Sequence, residues 1–88
     1  MDKEILEELA NLEHERWSRW QKYLHSQCKR NNNGSLTIPA DKVKHWERQI
    51  KTPYKDLSDK EKDSDRKEAR KTLNLLTKKN KLVKESLL

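Results

Sequence analysis

The stretch from Leu9 to Leu24, LANLEHERWSRWQKYL, constrains this chain most, because its apolar residues return at helical spacing over roughly four turns. Wound at about 100° per residue, Leu6, Leu9, Ala10, Trp17, Trp20, Leu24 and Cys28 share one stripe, the mark of a helix with one covered side. Glu13 falls in the middle of that stripe, and His14 and Arg16 flank it. A carboxylate turned inward needs a partner, so this stretch predicts a polar site beside aromatic rings.

The rest of the chain offers little material for anything but helices. With one Gly and two Pro in 88 residues, turns are scarce, which argues for helices rather than a multi-stranded sandwich. The length allows one small domain with a thin core, and three Trp and two Tyr, with no Phe, must supply much of it. Residues 1–79 are read as that domain and residues 80–88 as a basic end. Cys28 is the only cysteine, so no internal disulfide forms; with no apolar run of spanning length and an acidic start, MDKEILEE, a cytoplasmic chain without a membrane segment is expected. The net charge of +6 is uneven: residues 1–68 carry 15 basic and 14 acidic side chains, residues 69–88 six and one. The excess charge thus gathers at one end.

Taken in order, a first helix is expected over residues 2–28, with Glu4, Glu7 and Glu8 at the positive end of its dipole. NNNGS at 31–35 then breaks it and reads as a flexible connection. A short helix over about 39–50 follows, with Thr37 as a cap and Pro39 in its first turn; Val43, Trp46 and Ile50 are its face toward the first helix. Pro53 keeps Thr52 extended and directs Tyr54 inward. Ser58 with Glu61 forms a capping box, behind Leu57 as a staple, and opens a third helix from Asp59 to about Lys79. Its stripe is Lys62, Asp65, Ala69, Leu73, Leu76 and Val83, with Arg66 at the edge. The fold class is therefore all-α: two long antiparallel helices bridged by a short helix and an extended Pro-Tyr segment.

Leu9, Ala10, His14, Glu15 and Trp17, followed after a spacer by Pro53, Tyr54, Leu57, Ser58, Lys62, Asp65 and Arg66, give a two-block pattern that resembles the ryanodine-receptor repeat family, in its small stand-alone bacterial and phage type. The blocks span roughly residues 9–20 and 52–74. Between them the Gly-Trp-x-Tyr-Gly and His-Pro-x-Leu segments of the channel repeats are replaced by the NNNGS loop and the Val43, Trp46, Ile50 helix. The resemblance implies a non-enzymatic module of bacterial immunity and phage conflict that binds nucleotide-derived messengers of the cyclic ADP-ribose type.

The residues themselves suit such a ligand. Glu13, His14, Arg16, Trp17, Trp20, Tyr54, Lys62, Asp65 and Arg66 form the candidate binding set: rings to stack a base, Lys62 or Arg66 for phosphate, Glu13 or Asp65 for ribose hydroxyls. The plainer reading pairs Glu13 with Arg66 or Lys62 as a structural ion pair. Catalysis lacks parts: His14-Glu15 starts a zinc-protease-like string, but Ser18 stands where the second His belongs. His25, Cys28 and His45 make no metal motif, and neither a metal nor a cofactor is expected. The rival class is a nucleic-acid binder using Lys78, Lys79, Lys81 and Lys84. A third is a homo-oligomeric interaction module, with Ile5, Leu12 and Tyr23 as a second apolar seam.

Overall fold

The structure, a computed structural model, describes residues 2–87, and the side chains of residues 2–80. The side chains of Lys81, Val83, Lys84, Leu87 and Leu88 lie outside the described residues. Helix α1 (Asp2–Ser26) is followed by strands β1 (Lys29–Arg30) and β2 (Leu36–Thr37), helix α2 (Ala40–Lys51), a 3-10 turn at Tyr54–Asp56, and helix α3 (Asp59–Leu87). The all-α class, with two long antiparallel helices and a short one between them, is as expected.

Helix α1 stops at Ser26 because the chain next has to pair with itself. Lys29 lies opposite Thr37 and Arg30 opposite Leu36 in an antiparallel two-strand ladder. The NNNGS segment is thus a built turn rather than a flexible connection. Gly34 donates its N–H to the Asn31 carbonyl at 3.1 Å, and the Asn31 amide nitrogen donates to Ser35 Oγ at 3.0 Å and Thr37 Oγ1 at 2.9 Å. Gly34 has φ +88°, the left-handed conformation in which a residue without Cβ avoids strain. Thr37 is spent on this turn, so Pro39 occupies the N-cap of α2 with no side-chain cap bond.

Thr52 and Pro53 are extended, as the X-Pro restriction requires. Helix α3 then starts on half of a capping box: the Glu61 N–H donates to Ser58 Oγ at 3.2 Å, while the Ser58 hydroxyl donates to Glu61 Oε1 at 2.8 Å. The glutamate therefore binds the cap's hydroxyl rather than its backbone N–H.

Three charge pairs fix how α1 and α3 run past each other. Lys79 Nζ lies 3.2 Å from Glu8, Arg19 Nη2 2.8 Å from Glu68, and Arg16 Nε 3.7 Å from Glu68. Each step along α1 is matched by a step back along α3, and the seam holds Ile5, Leu9, Leu12 and Arg16 on α1 against Glu68, Thr72, Leu75 and Lys79 on α3, all half-buried. This corrects the stripes read from periodicity. Leu6, Ala10, Glu13, Trp17 and Trp20 are exposed, as are Asp65, Ala69, Leu73 and Leu76. The Ile5 and Leu12 pair, expected as a second seam for an oligomer, belongs to the seam within the chain, and Tyr23 is largely exposed.

Where the misplaced stripes go follows from helical geometry. On two antiparallel helices, residues about 100° beyond the seam in the same rotational sense come out on the same side of the layer. Leu6, Ala10, Trp17 and Leu24 share one side with Asp65, Ala69 and Leu76; Glu7, Asn11, Glu15 and Lys22 share the other with Lys67, Asn74 and Lys78, all exposed. The layer is therefore apolar on one side and polar on the other. Helix α2 lies over the apolar side at one end, where Trp46 meets Trp20 edge-on at 5.9 Å between centroids. Ile50, placed by its spacing with Val43 and Trp46, is instead 81% exposed, and Gln49 is half-buried in its stead, hydrogen-bonded to Glu61. No described residue is fully buried, and the molecule measures 60 × 35 × 16 Å. No helix of the described residues is long and apolar enough to cross a membrane.

Candidate ligand-binding site

The α1/α3 register separates the predicted site into two groups. Glu8 faces Lys79 and Arg19 faces Glu68, so Glu13 stands level with Asn74, while Lys62 stands near His25. Some 12 residues of helix, roughly 18 Å, part Glu13 from Lys62. Glu13 pairs instead with Arg16 one turn on, at 3.4 Å, with its side chain 65% exposed. Arg66 binds Asp63 at 2.8 Å. The predicted pairing of Glu13 with Arg66 or Lys62 does not form.

In the α1 group, His14 stacks on Trp17 with centroids 6.2 Å apart and planes 20° from parallel, both exposed. Arg16 turns the other way, into the seam, and its Nε is shielded from solvent without a hydrogen bond. Trp20 stacks on Tyr23 at 5.5 Å as well as meeting Trp46. The second group lies at the start of α3. Tyr54, held by the 3-10 turn, is 49% exposed rather than inward, and the Lys62 ammonium stands 5.8 Å from its ring centroid. Among the described residues no carboxylate lies within ion-pair distance of Lys62. Arg66 joins this group: the Asp63 hydrogen bond, with Tyr54 contributing, holds its guanidinium above the ordinary value. Asp65 is exposed nearby on the same helix.

Two carboxylates that sequence reasoning did not place in a site carry the strongest polar contacts. Glu61 accepts from Gln49 Nε2 at 2.7 Å and from Ser58, with Arg48 Nη2 at 3.5 Å, and so joins α2 to α3. The Gln49 hydrogen bond, then that of Ser58, lowers its pKa from 4.5 to about 2. Glu68 gathers Arg16, Arg19 and Lys71, at 3.7, 2.8 and 3.3 Å. Desolvation pushes the Glu68 carboxyl up, but the hydrogen bond from Lys71 and the charges of Arg19 and Lys71 outweigh it and set its pKa below the ordinary glutamate value. The Ser58-x-x-Glu61 spacing was a signal for the first; nothing local marked Glu68.

A groove of about 370 Å³ lies along the seam, lined by Glu7, Glu8, Asn11, Leu12, Lys71 and Leu75, and it holds none of the nine predicted residues. Its two carboxylates oppose an anionic guest. Among the described residues no three His, Cys, Asp or Glu side chains converge to hold a metal. Compared with known proteins, the chain matches no family model, no curated protein and no solved structure.

Proposed function

We propose that the chain is a non-enzymatic binding module for a nucleotide-derived anionic messenger of the cyclic ADP-ribose type, which it senses or sequesters. The observation that carries this reading is the Tyr54 cluster: an open ring, an ammonium 5.8 Å from its centroid with no carboxylate partner among the described residues, and, near the same ring, the Arg66 guanidinium paired with Asp63. A base stacks on the ring, and the two cations meet phosphate. Tyr54, Lys62 and Arg66 also belong to the second of the two blocks that resemble the ryanodine-receptor repeats. The rival reading, a nucleic-acid surface, draws on Lys78, Lys79, Lys81 and Lys84; Lys78 is exposed, but Lys79 is paired with Glu8 at 3.2 Å, and the side chains of the other two lie outside the described residues.

Calorimetry and thermal shift against cyclic ADP-ribose isomers and cyclic dinucleotides test the proposal. The expected result is saturable heat and a raised melting temperature with one of them, both lost in Tyr54→Ala and Lys62→Ala. Indifference to the whole panel, or a response that survives both substitutions, would sink it. Retention on DNA that disappears with salt would favour the rival.

A further inference from the structure

The chain alone leaves more surface in water than its mass warrants. It exposes 7695 Å², whereas a compact monomer of 10.6 kDa exposes about 5,500 Å². Its radius of gyration is 18.2 Å, against about 12 Å for a compact domain of this length. Four of the large exposed hydrophobics lie on one side. Leu6 is 62% exposed, Trp17 59%, Leu73 61% and Leu76 37%, with Ala10 and Ala69 between them. This is the side of the α1/α3 layer that α2 covers only at its far end.

The geometry points to a second copy of this chain as the occupant: two layers stack through their apolar sides to make a symmetric dimer. Area supports a partner of this size. Hiding even half of the excess from each of two copies makes an interface of about 2,000 Å², at the lower end of stable homodimers. Charge supports a partner of this kind. The chain carries +6, and its polar side mixes both signs, yet the apolar side carries two acidic and two basic side chains, Glu13 on the open stretch and Asp65, Lys62 and Arg66 toward the end that α2 covers. A neutral face with both signs is complementary to itself under a two-fold axis, and it gives an acidic partner nothing to prefer. The absence of any fully buried residue among those described supplies the need: the dimer's middle layer becomes the core that one chain lacks.

This inference does not rest on the ligand reading, and its test reads mass rather than heat. Sedimentation equilibrium of the full chain should give twice 10.6 kDa at micromolar concentration, with a melting temperature that rises with protein concentration. Leu73→Glu should raise the dimer dissociation constant at least tenfold, and Asn74→Glu, one residue round on the polar side, should leave it unchanged. A 10.6 kDa species whose melting ignores concentration overturns the proposal. So does a dimer equally indifferent to both substitutions. If Leu73→Glu fails to fold, the concentration dependence of the unsubstituted chain's melting decides.

Discussion

The apolar side of the α1/α3 layer is finished at one end and unfinished at the other. Near the hairpin, α2 covers it: Trp46 meets Trp20, and Glu61 takes Gln49, Arg48 and Ser58 at once. Farther along, Leu6, Leu73 and Leu76 meet solvent. The difference is one of reach. Helix α2 has 12 residues, about 18 Å, and α1 has 25, about 37 Å. What the comparison teaches is that a few directional contacts suffice to seat a short helix, while apolar area is conserved for a surface the chain does not itself provide.

The covered end should be the costlier one to damage within a single chain. Trp46→Ala removes the aromatic contact between α2 and α1 and should lower unfolding stability by about 2 kcal/mol, less than a fully buried tryptophan would. Chemical denaturation at one fixed protein concentration measures it. A loss under about 0.5 kcal/mol would mean α2 is held by the Glu61 contacts alone. Ser58→Ala removes the cap of α3 and the hydroxyl bond to Glu61, and should cost about 1 kcal/mol.

Glu61→Gln gives a smaller change with a distinctive pH dependence. The folded pKa is near 2 and the ordinary value is 4.5, so the folded state prefers the charged form. The stabilisation is whole above pH 4.5 and is lost as pH falls toward 2. The gap in stability between the unsubstituted chain and Glu61→Gln should therefore be widest near neutral pH and close through that window. A gap that stays constant with pH would place Glu61 outside the contacts described.

How much of this was legible depends on how local each signal was. The three helices, the Pro53 break and the Ser58 cap are set by neighbours within four residues, and periodicity and capping rules read them. Pro39 shows the limit, since Thr37 was the better cap by type but is drawn into the turn by Asn31. Periodicity also found the apolar faces without telling which of two adjacent stripes is covered. Ile5 lies about 100° of rotation from Leu6, with Leu9 between their two stripes, and only the pairing of Glu8 with Lys79 and Arg19 with Glu68 decides which is covered. Those pairs join residues 71 and 49 positions apart. For the same reason the candidate site came out as two groups: Tyr54, Lys62 and Arg66 lie around the start of one helix, but nothing in the sequence gave the axial offset of Glu13.

Glu13 supplies the smallest effect and the sharpest check on that rotation. Were it at the centre of a buried stripe, as its spacing with Trp17 and Trp20 predicts, removing it would strand a charged partner and cost roughly 3–5 kcal/mol. At 65% exposed and tied only to Arg16 one turn away, it is an ordinary surface ion pair, worth well under about 1 kcal/mol. Glu13→Ala should thus shift unfolding stability by less than about 0.5 kcal/mol, and raising the salt concentration should erase even that. A loss several times larger, measured where the chain is monomeric, would turn α1 by about 100° and put the polar stripe back against α3. If the loss appears only at concentrations where the chain associates, α1 keeps its rotation and Glu13 belongs to the contact between copies.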